Sequence, residues 1–356
     1  MHVRFAFHSI AAALVCSVLL WSSTSSTLDV PLPGPAPRGR LEPVAGIGLP
    51  KDERCVGCHA EIAAEWKQSL HHRAWENEYF EHAYAVEPLA FCRGCHAPLA
   101  DPKSEPSLEA RHVGVGCTAC HVVPAGIVGK HHIAMRENGH EVIGDARLGT
   151  TQACARCHDF AFPGSSRPDV DRMQKTLSEH AQSAHAAKPC QDCHMPLVPS
   201  QNGPPHRKHD FRVQGDRDMM ARAVIVDKAE IKGDTLHLDM KPGTIGHAFP
   251  TGDLYRRAEI RAFPLDARGK TFGKPSIEIL RRTFGPAHEG PKKTVPIERA
   301  DSRLMGPRQI ALPLPKGAPG AKYEIVWQKL PPEMAQKFGM KMSNHEMVVL
   351  EGTVKR

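Results

Sequence analysis

The pattern Cys-x-x-Cys-His occurs five times between residues 55 and 194, and we number these copies boxes 1 to 5. In each box two thiols can add across the vinyl groups of a haem while the adjacent imidazole binds its iron, which is the c-type attachment pattern. The sequence therefore predicts five covalently bound haem c groups. The predicted attachment cysteines are Cys55, Cys58, Cys92, Cys95, Cys117, Cys120, Cys154, Cys157, Cys190 and Cys193, and the predicted proximal iron ligands are His59, His96, His121, His158 and His194.

Closely spaced cysteine pairs also occur in disulfide frameworks, structural zinc sites and dithiol redox pairs. A dithiol pair does not need the histidine, and zinc ribbons combine two Cys-x-x-Cys units without requiring a histidine after each. Ten of the eleven cysteines lie in the boxes, and the eleventh, Cys16, lies near the N-terminus. Haem attachment is therefore favoured over these alternatives.

The N-terminus has the pattern of an export signal. Arg4 precedes an apolar run from Ile10 to Trp21, and a small, polar stretch from Ser22 to Thr27 follows. We expect residues 1–27 to be a signal peptide, with a retained anchor or a lipid on Cys16 as alternatives. Because bacteria complete c-type haem attachment outside the cytoplasm, the signal and the boxes both predict a periplasmic or cell-surface location.

The remaining chain divides by composition. Residues 28–50 are rich in proline and glycine, which predicts a linker. Residues 51–211 hold all the boxes, and the span 55–194 provides only 28 residues for each of them, so neighbouring haems must lie against one another. Boxes 2 and 3 begin 25 residues apart and the other neighbours 36 or 37, which predicts a tightly stacked haem pair at boxes 2 and 3.

After Phe211 cysteine disappears, and short runs rich in β-branched residues alternate with turn signals. This pattern predicts an antiparallel β-sandwich-like domain over residues 212–356. The predicted fold class is α+β, with a haem-packed, mainly helical or irregular N-terminal domain followed by that β domain.

The formal net charge of +7 comes from Lys and Arg that are scattered among acidic residues. Nucleic-acid-binding proteins usually gather such residues into a basic patch or stripe. Each ferric haem would also add two propionates against one net positive charge, which brings a five-haem protein close to neutral. We therefore expect no nucleic-acid partner.

Several segments around the boxes resemble the cytochrome c-554-like (cytochrome c-552/4) family of multihaem c-type cytochromes. They are Trp66-Lys-Gln-Ser69-Leu-His71, Phe91-Cys-Arg-Gly-Cys-His-Ala-Pro98, Gly114-Val-Gly-Cys117 and Cys190-Gln-Asp-Cys-His-Met-Pro196. Related multihaem proteins also carry a segment similar to Gly246-His-Ala-Phe-Pro-Thr-Gly252 followed by Arg256-Arg257. The resemblance implies electron transfer through closely packed haems, mostly with two axial histidines. A tetrahaem member has four boxes, so the fifth box departs from its pattern.

The sequence leaves 15 histidines, outside the boxes and the signal, as candidates for the distal iron positions. The family segment favours His71 over its neighbour His72. In the loop after box 3, His132 is preferred to His131. The complete predicted distal set is His71, His132, His185, His209 and His247. For His247 we expect the β domain to reach into the haem region. His180, on the same predicted helix as His185, stays an alternative ligand. Seven further histidines are predicted to be solvated or hydrogen bonded, namely His82, His112, His140, His206, His237, His288 and His345.

These features favour an electron-transfer protein over an enzyme, and no catalytic residue is assigned. Two alternatives stay open: an oxidoreductase acting on a small nitrogen or sulfur compound at an open haem, and a subunit of an extracellular cytochrome filament. The expected partners are redox proteins of the cell envelope. Peripheral association with a membrane complex, or an oligomer, is compatible with the sequence.

Overall fold

The computed structural model describes residues 52–101, 103–123, 125–135, 139–201, 203–211, 215–289 and 293–356. The predicted signal peptide and linker lie outside these residues. The described residues all belong to one compact unit. Within the described part of the chain, no helix is both long and apolar enough to span a bilayer.

The N-terminal part consists of short helices joined by irregular segments. None exceeds nine residues, so their stability must come from packing rather than from helix propensity. The helices are α1 (Asp52–Cys58), α2 (Ala60–Lys67), α3 (Glu78–Val86), α4 (Ala90–His96), α5 (Leu108–Val113), α6 (Cys117–His121), α7 (Gln152–His158), α8 (Thr176–Ala181), α9 (Gln191–His194) and α10 (Arg217–Ala221), and α11 (Pro332–Lys337) follows in the C-terminal part.

Small β elements connect these helices. They are β1 (Val122–Val123), β2 (Gly126–Gly129), β3 (Ile143–Gly144), β4 (Asp159–Ala161), β5 (Arg172–Lys175), β6 (Leu197–Val198) and β7 (His206–Arg207). The longer strands of the C-terminal part are β8 (Val224–Lys232), β9 (Thr235–Pro242), β10 (Arg257–Leu265), β11 (Ser276–Glu289), β12 (Lys293–Asp301), β13 (Arg308–Pro313), β14 (Gly320–Gln328) and β15 (Glu346–Lys355).

The C-terminal strands form two antiparallel sheets with the orders β12-β11-β10-β14-β15 and β13-β9-β8. Alternate residues of β9 (Leu236, Leu238 and Met240) are almost fully buried. They share one apolar core with Ile260 of β10 and Ile325 of β14, which belong to the other sheet. Period-two burial of this kind is what two packed sheets require. The structure thus confirms the predicted α+β class, with a helical N-terminal part and an antiparallel β C-terminal part.

The two parts meet at the loop between β9 and β10, residues 243–256. Phe249 of this loop exchanges two backbone hydrogen bonds with Leu304, so the loop is fixed to the β part. On its other side, the Ala248 amide and the Thr251 hydroxyl donate to the carboxylate of Glu179 in α8. The β9–β10 loop therefore places residues of the β part directly against the boxes.

Candidate haem-binding site

Each box lies on or at the end of a short helix, namely α1, α4, α6, α7 or α9. On a helix, residues i, i+3 and i+4 lie on one face, so the two cysteines and the histidine of a box can meet the same group. The ten box cysteines, all of them among the described residues, form no disulfide bonds. Sequence and local structure therefore present five sets of two thiols and one imidazole in the arrangement that covalent haem attachment needs.

Thiols of different boxes contact one another. The thiol of Cys55 in box 1 is close enough to that of Cys117 in box 3 to change its pKa, and the same holds for Cys95 of box 2 with Cys157 of box 4. It also holds for Cys154 of box 4 with Cys190 of box 5. Boxes 1 and 3 are therefore neighbours, and box 4 adjoins both box 2 and box 5. The close haem pair expected at boxes 2 and 3 stays a prediction.

One of these contacts also brings a carboxylate within reach. Atoms of Asp52, Cys55 and Cys117 that could bind a metal ion lie within 4.8 Å of one another. The carboxylate already accepts a hydrogen bond of 2.8 Å from the Thr118 amide. Both cysteines belong to boxes and would become thioethers on haem attachment, so this group fits box packing better than a separate metal site.

Four box histidines face a second histidine at a nearly constant separation. The distance between ring centres is 6.2 Å for His59 and His140, for His71 and His158, and for His121 and His209, and 6.3 Å for His194 and His247. Two imidazoles that bind one metal ion from opposite sides, each about 2 Å from it, place their ring centres about 6 Å apart. The four pairs therefore have the spacing of axial ligands to a common iron.

Hydrogen bonds to backbone carbonyls orient several of these rings. The Nδ1 atom of His121 lies 2.9 Å from the Val128 oxygen, and that of His247 lies 3.0 Å from the Ala248 oxygen. Equivalent Nδ1 contacts to carbonyls are made by His96, His140 and His209. A ring that donates from Nδ1 keeps the Nε2 lone pair for a metal. These contacts select the ligating tautomer before any iron is bound.

Burial keeps three of the paired imidazoles, those of His71, His209 and His247, neutral. It lowers the pKa of His71 to about 3, and the pKa values of His209 and His247 to about 4. Neighbouring imidazoles lower the pKa of His71 further, because protonated rings would repel one another. Only a neutral imidazole has the free lone pair that binds iron, so these histidines are in their ligating form at neutral pH.

Three of the predicted distal histidines, His71, His209 and His247, face a box histidine. His132 does not: its side chain is 60% exposed, and its Nδ1 atom lies 3.9 Å from a carboxylate oxygen of Glu141. The ring that faces His59 is that of His140, which the sequence analysis had assigned to solvent or hydrogen bonding. His185 is partly buried beside Gly246, and among the described residues it pairs with no box histidine.

Box 2 has a different environment. The His96 ring stacks on Phe80 with 3.5 Å between ring centres and 6° between planes. Within the described ranges, no second histidine faces His96 at the separation seen in the other four pairs. Burial lowers the pKa of His96 to about 4, which the hydrogen bond to Ala74 and the Asp253 carboxylate partly oppose. The residues present therefore supply one axial imidazole for box 2.

Comparison with known proteins supports the assignment of these boxes to haem. Residues 54–122 match the family model described as cytochrome c554 and c-prime. This segment contains boxes 1 to 3 and His71. No curated protein sequence matches the chain.

Among solved structures, the fold is similar to that of a penta-heme cytochrome c552 from Thermochromatium tepidum, with a TM-score of 0.65. The two chains share 18% sequence identity, and the match covers 86% of this chain and 99% of the other. At this identity the similarity shows a common fold. The family match over residues 54–122 and the shared fold both agree with the resemblance to multihaem c-type cytochromes predicted from the sequence.

Proposed function

We propose that the protein carries electrons through five haem c groups, one at each box, in the periplasm or at the cell surface. The observation that carries this proposal is the set of four histidine pairs with ring centres 6.2 to 6.3 Å apart, together with the thiol contacts that join neighbouring boxes. Haem supplies one-electron redox chemistry, and a second axial histidine keeps the iron low-spin and its potential low.

The chain's own residues set the conditions for this transfer. The cysteines would hold each group covalently, and at boxes 1, 3, 4 and 5 the paired imidazoles would bind its iron, so that one-electron chemistry there would need little rearrangement. We assign the pairs as His59 with His140, His121 with His209, His158 with His71, and His194 with His247. Contacts between boxes then allow an electron to pass from one group to the next.

Electron exchange with other proteins requires accessible groups. Cys58, Cys120 and Cys193, from boxes 1, 3 and 5, are exposed. We propose that redox proteins of the cell envelope dock near these boxes. The exposed cysteines support docking at more than one end of the box network, which a conduit between two partners requires.

A potentiometric titration followed by absorbance tests the conduit. We expect the protein to take up about five electrons per chain, mostly at low potential as for paired histidine ligands. After flash reduction, electrons should redistribute among the haems within one molecule at a rate independent of protein concentration. Redistribution only through bimolecular collisions would contradict the proposal.

The single axial histidine at box 2 favours a second candidate function, the binding or conversion of a small nitrogen or sulfur compound at an open iron. A carbon monoxide titration of the reduced protein tests it, because this gas binds only where an axial position is free. We expect about one molecule bound per chain, and loss of that binding in a C92A/C95A variant. A reduced spectrum unchanged by the gas would remove this candidate.

A further inference from the structure

We infer that Glu179 and Arg303 are positioning residues: their buried ion pair holds the β9–β10 loop so that His247 faces His194 of box 5. This inference rests on the proposed ligation of the box 5 iron by His247. Neither Glu179 nor Arg303 contacts a box histidine through a described hydrogen bond. Their role is to hold a ligand from the β part in place against a box of the helical part.

The ion pair is almost completely shielded from water. An Nη atom of Arg303 lies 2.6 Å from a carboxylate oxygen of Glu179, and the two side chains are 2% and 3% exposed. Two charges removed from water in this way are tolerated only when they are paired and hydrogen bonded. Glu179 belongs to α8 of the helical part, whereas Arg303 follows β12 of the β part. The pair therefore joins the two parts at one point.

The same two side chains hold the loop on both sides of Phe249. The Glu179 carboxylate accepts hydrogen bonds from the Ala248 amide at 3.2 Å and from the Thr251 hydroxyl at 2.5 Å. Arg303 donates to the Pro250 carbonyl oxygen at 3.2 Å. Three of the four residues that follow His247, namely Ala248, Pro250 and Thr251, are thus held by these two side chains, and they fix the backbone from which its imidazole projects.

Close packing at Gly246, the residue before His247, also restricts the position of the β9–β10 loop. A Cβ atom on Gly246 would lie 2.9 Å from the His180 ring, so only glycine fits there without a shift. His180 follows Glu179 in α8 and is itself buried. Because α8 contacts the loop both before and after His247, the position of this imidazole depends on α8 rather than on the loop alone.

An E179A variant of the haem-loaded protein tests the inference. High-spin iron would be quantified by electron paramagnetic resonance, and haem content by the pyridine haemochrome. We expect E179A to gain up to about one high-spin haem per chain over the wild type, and added imidazole to restore the low-spin state by replacing the displaced ligand. H247A should gain about one high-spin haem per chain and show the same rescue.

Two further variants keep the test decisive. E298Q is the control, because it disturbs another largely buried ion pair, in which Glu298 lies 2.6 Å from Arg282. Among the described residues, Glu298 makes no hydrogen bond to the β9–β10 loop. The haem spin states of E298Q should therefore match those of the wild type. T251V keeps the Glu179–Arg303 ion pair and removes one hydrogen bond to Glu179, and should give a smaller gain than E179A. If E179A does not retain its haems, the high-spin haem content of T251V tests the positioning role instead.

The outcomes separate the inference from the proposed function. The positioning role is supported if E179A or T251V gains high-spin haem that added imidazole converts back to low-spin, and if E298Q gains none. If H247A gains a high-spin haem whereas E179A and T251V do not, His247 remains a ligand and the positioning role is overturned. If H247A gains no high-spin haem, the proposed ligation of the box 5 iron by His247 is wrong, and the positioning role is wrong as well.

Discussion

At the scale of single residues, the partner of each ring nitrogen separates three of the four proposed distal ligands from other histidines. His140, His209 and His247 direct Nδ1 to a backbone carbonyl and keep Nε2 free. His206, in contrast, directs Nε2 to the carboxylate of Glu65 at 3.2 Å. His112 is exposed and contacts Glu76. A second axial ligand must therefore be recognised by the contact that its other nitrogen makes.

The first prediction distinguishes the two histidines proposed for box 1. Replacing His140 with Ala should convert about one haem per chain to the high-spin state, because the imidazole opposite His59 is lost. Replacing the exposed His132 with Ala should leave the spectrum unchanged. Absorbance and paramagnetic resonance of the two ferric variants provide the measurement. The opposite result, with H132A high-spin and H140A unchanged, would contradict the ligand pair His59 and His140.

The second prediction concerns acid. The folded-state pKa values of His209 and His247 are about 4, below the ordinary value of 6.5, so the unfolded chain binds more protons in this range. Stability is therefore fully present above pH 6.5 and falls as the pH is lowered towards 4. Denaturant midpoints measured across this interval should decrease with pH, while the low-spin bands of the folded protein persist. Midpoints that rise on acidification would refute this electrostatic description.

At the scale of elements, the sequence predicted a mainly helical or irregular N-terminal part and the antiparallel strands that follow it, because both depend on local spacing. Period-two alternation along β9 identifies its buried face directly. The contacts between boxes were not predictable, since α6 returns to α1 through loops whose path has no signal in the sequence. The position of His140 opposite His59 was not predictable either, because it depends on the bridge between Ile133 and Val142, which are not adjacent in the sequence.

The third prediction tests the apolar core that supports the β part. Leu238 of β9 is completely buried between the sheets, so Leu238→Ala should lower the free energy of unfolding by about 2–5 kcal/mol. The neighbouring His237 points to the opposite face of the strand, and His237→Ala should cost much less. Denaturant unfolding of the two variants gives the comparison. Equal losses would mean that β9 does not bury alternate residues as described.

At the scale of the whole molecule, the thiol contacts predict which box connects the others. The Cys157 thiol of box 4 is close to Cys95 of box 2, and the Cys154 thiol of box 4 is close to Cys190 of box 5. The Cys154 thiol is also close enough to Cys120 of box 3 to interact electrostatically with it. We therefore predict that box 4 is a branch point of the network.

The fourth prediction follows from this arrangement. Removing the haem of box 4 with C154A/C157A should slow electron redistribution among the remaining haems after flash reduction, because boxes 2 and 5 lose their common neighbour. Removing the haem of box 1 with C55A/C58A should leave redistribution among the others nearly unchanged. Both variants lose one haem, so haem number is matched. A similar rate in the two variants would argue against box 4 as the branch point.

Spin quantification of the oxidised, fully matured protein tests the central claim most directly. With paramagnetic resonance normalised to covalently bound haem, the proposed ligand pairs predict about five haems per chain, about four of them low-spin and about one high-spin. Fewer than five covalent haems, or two or more high-spin irons in the unmodified protein, would contradict the claim that four boxes hold their iron between paired histidines.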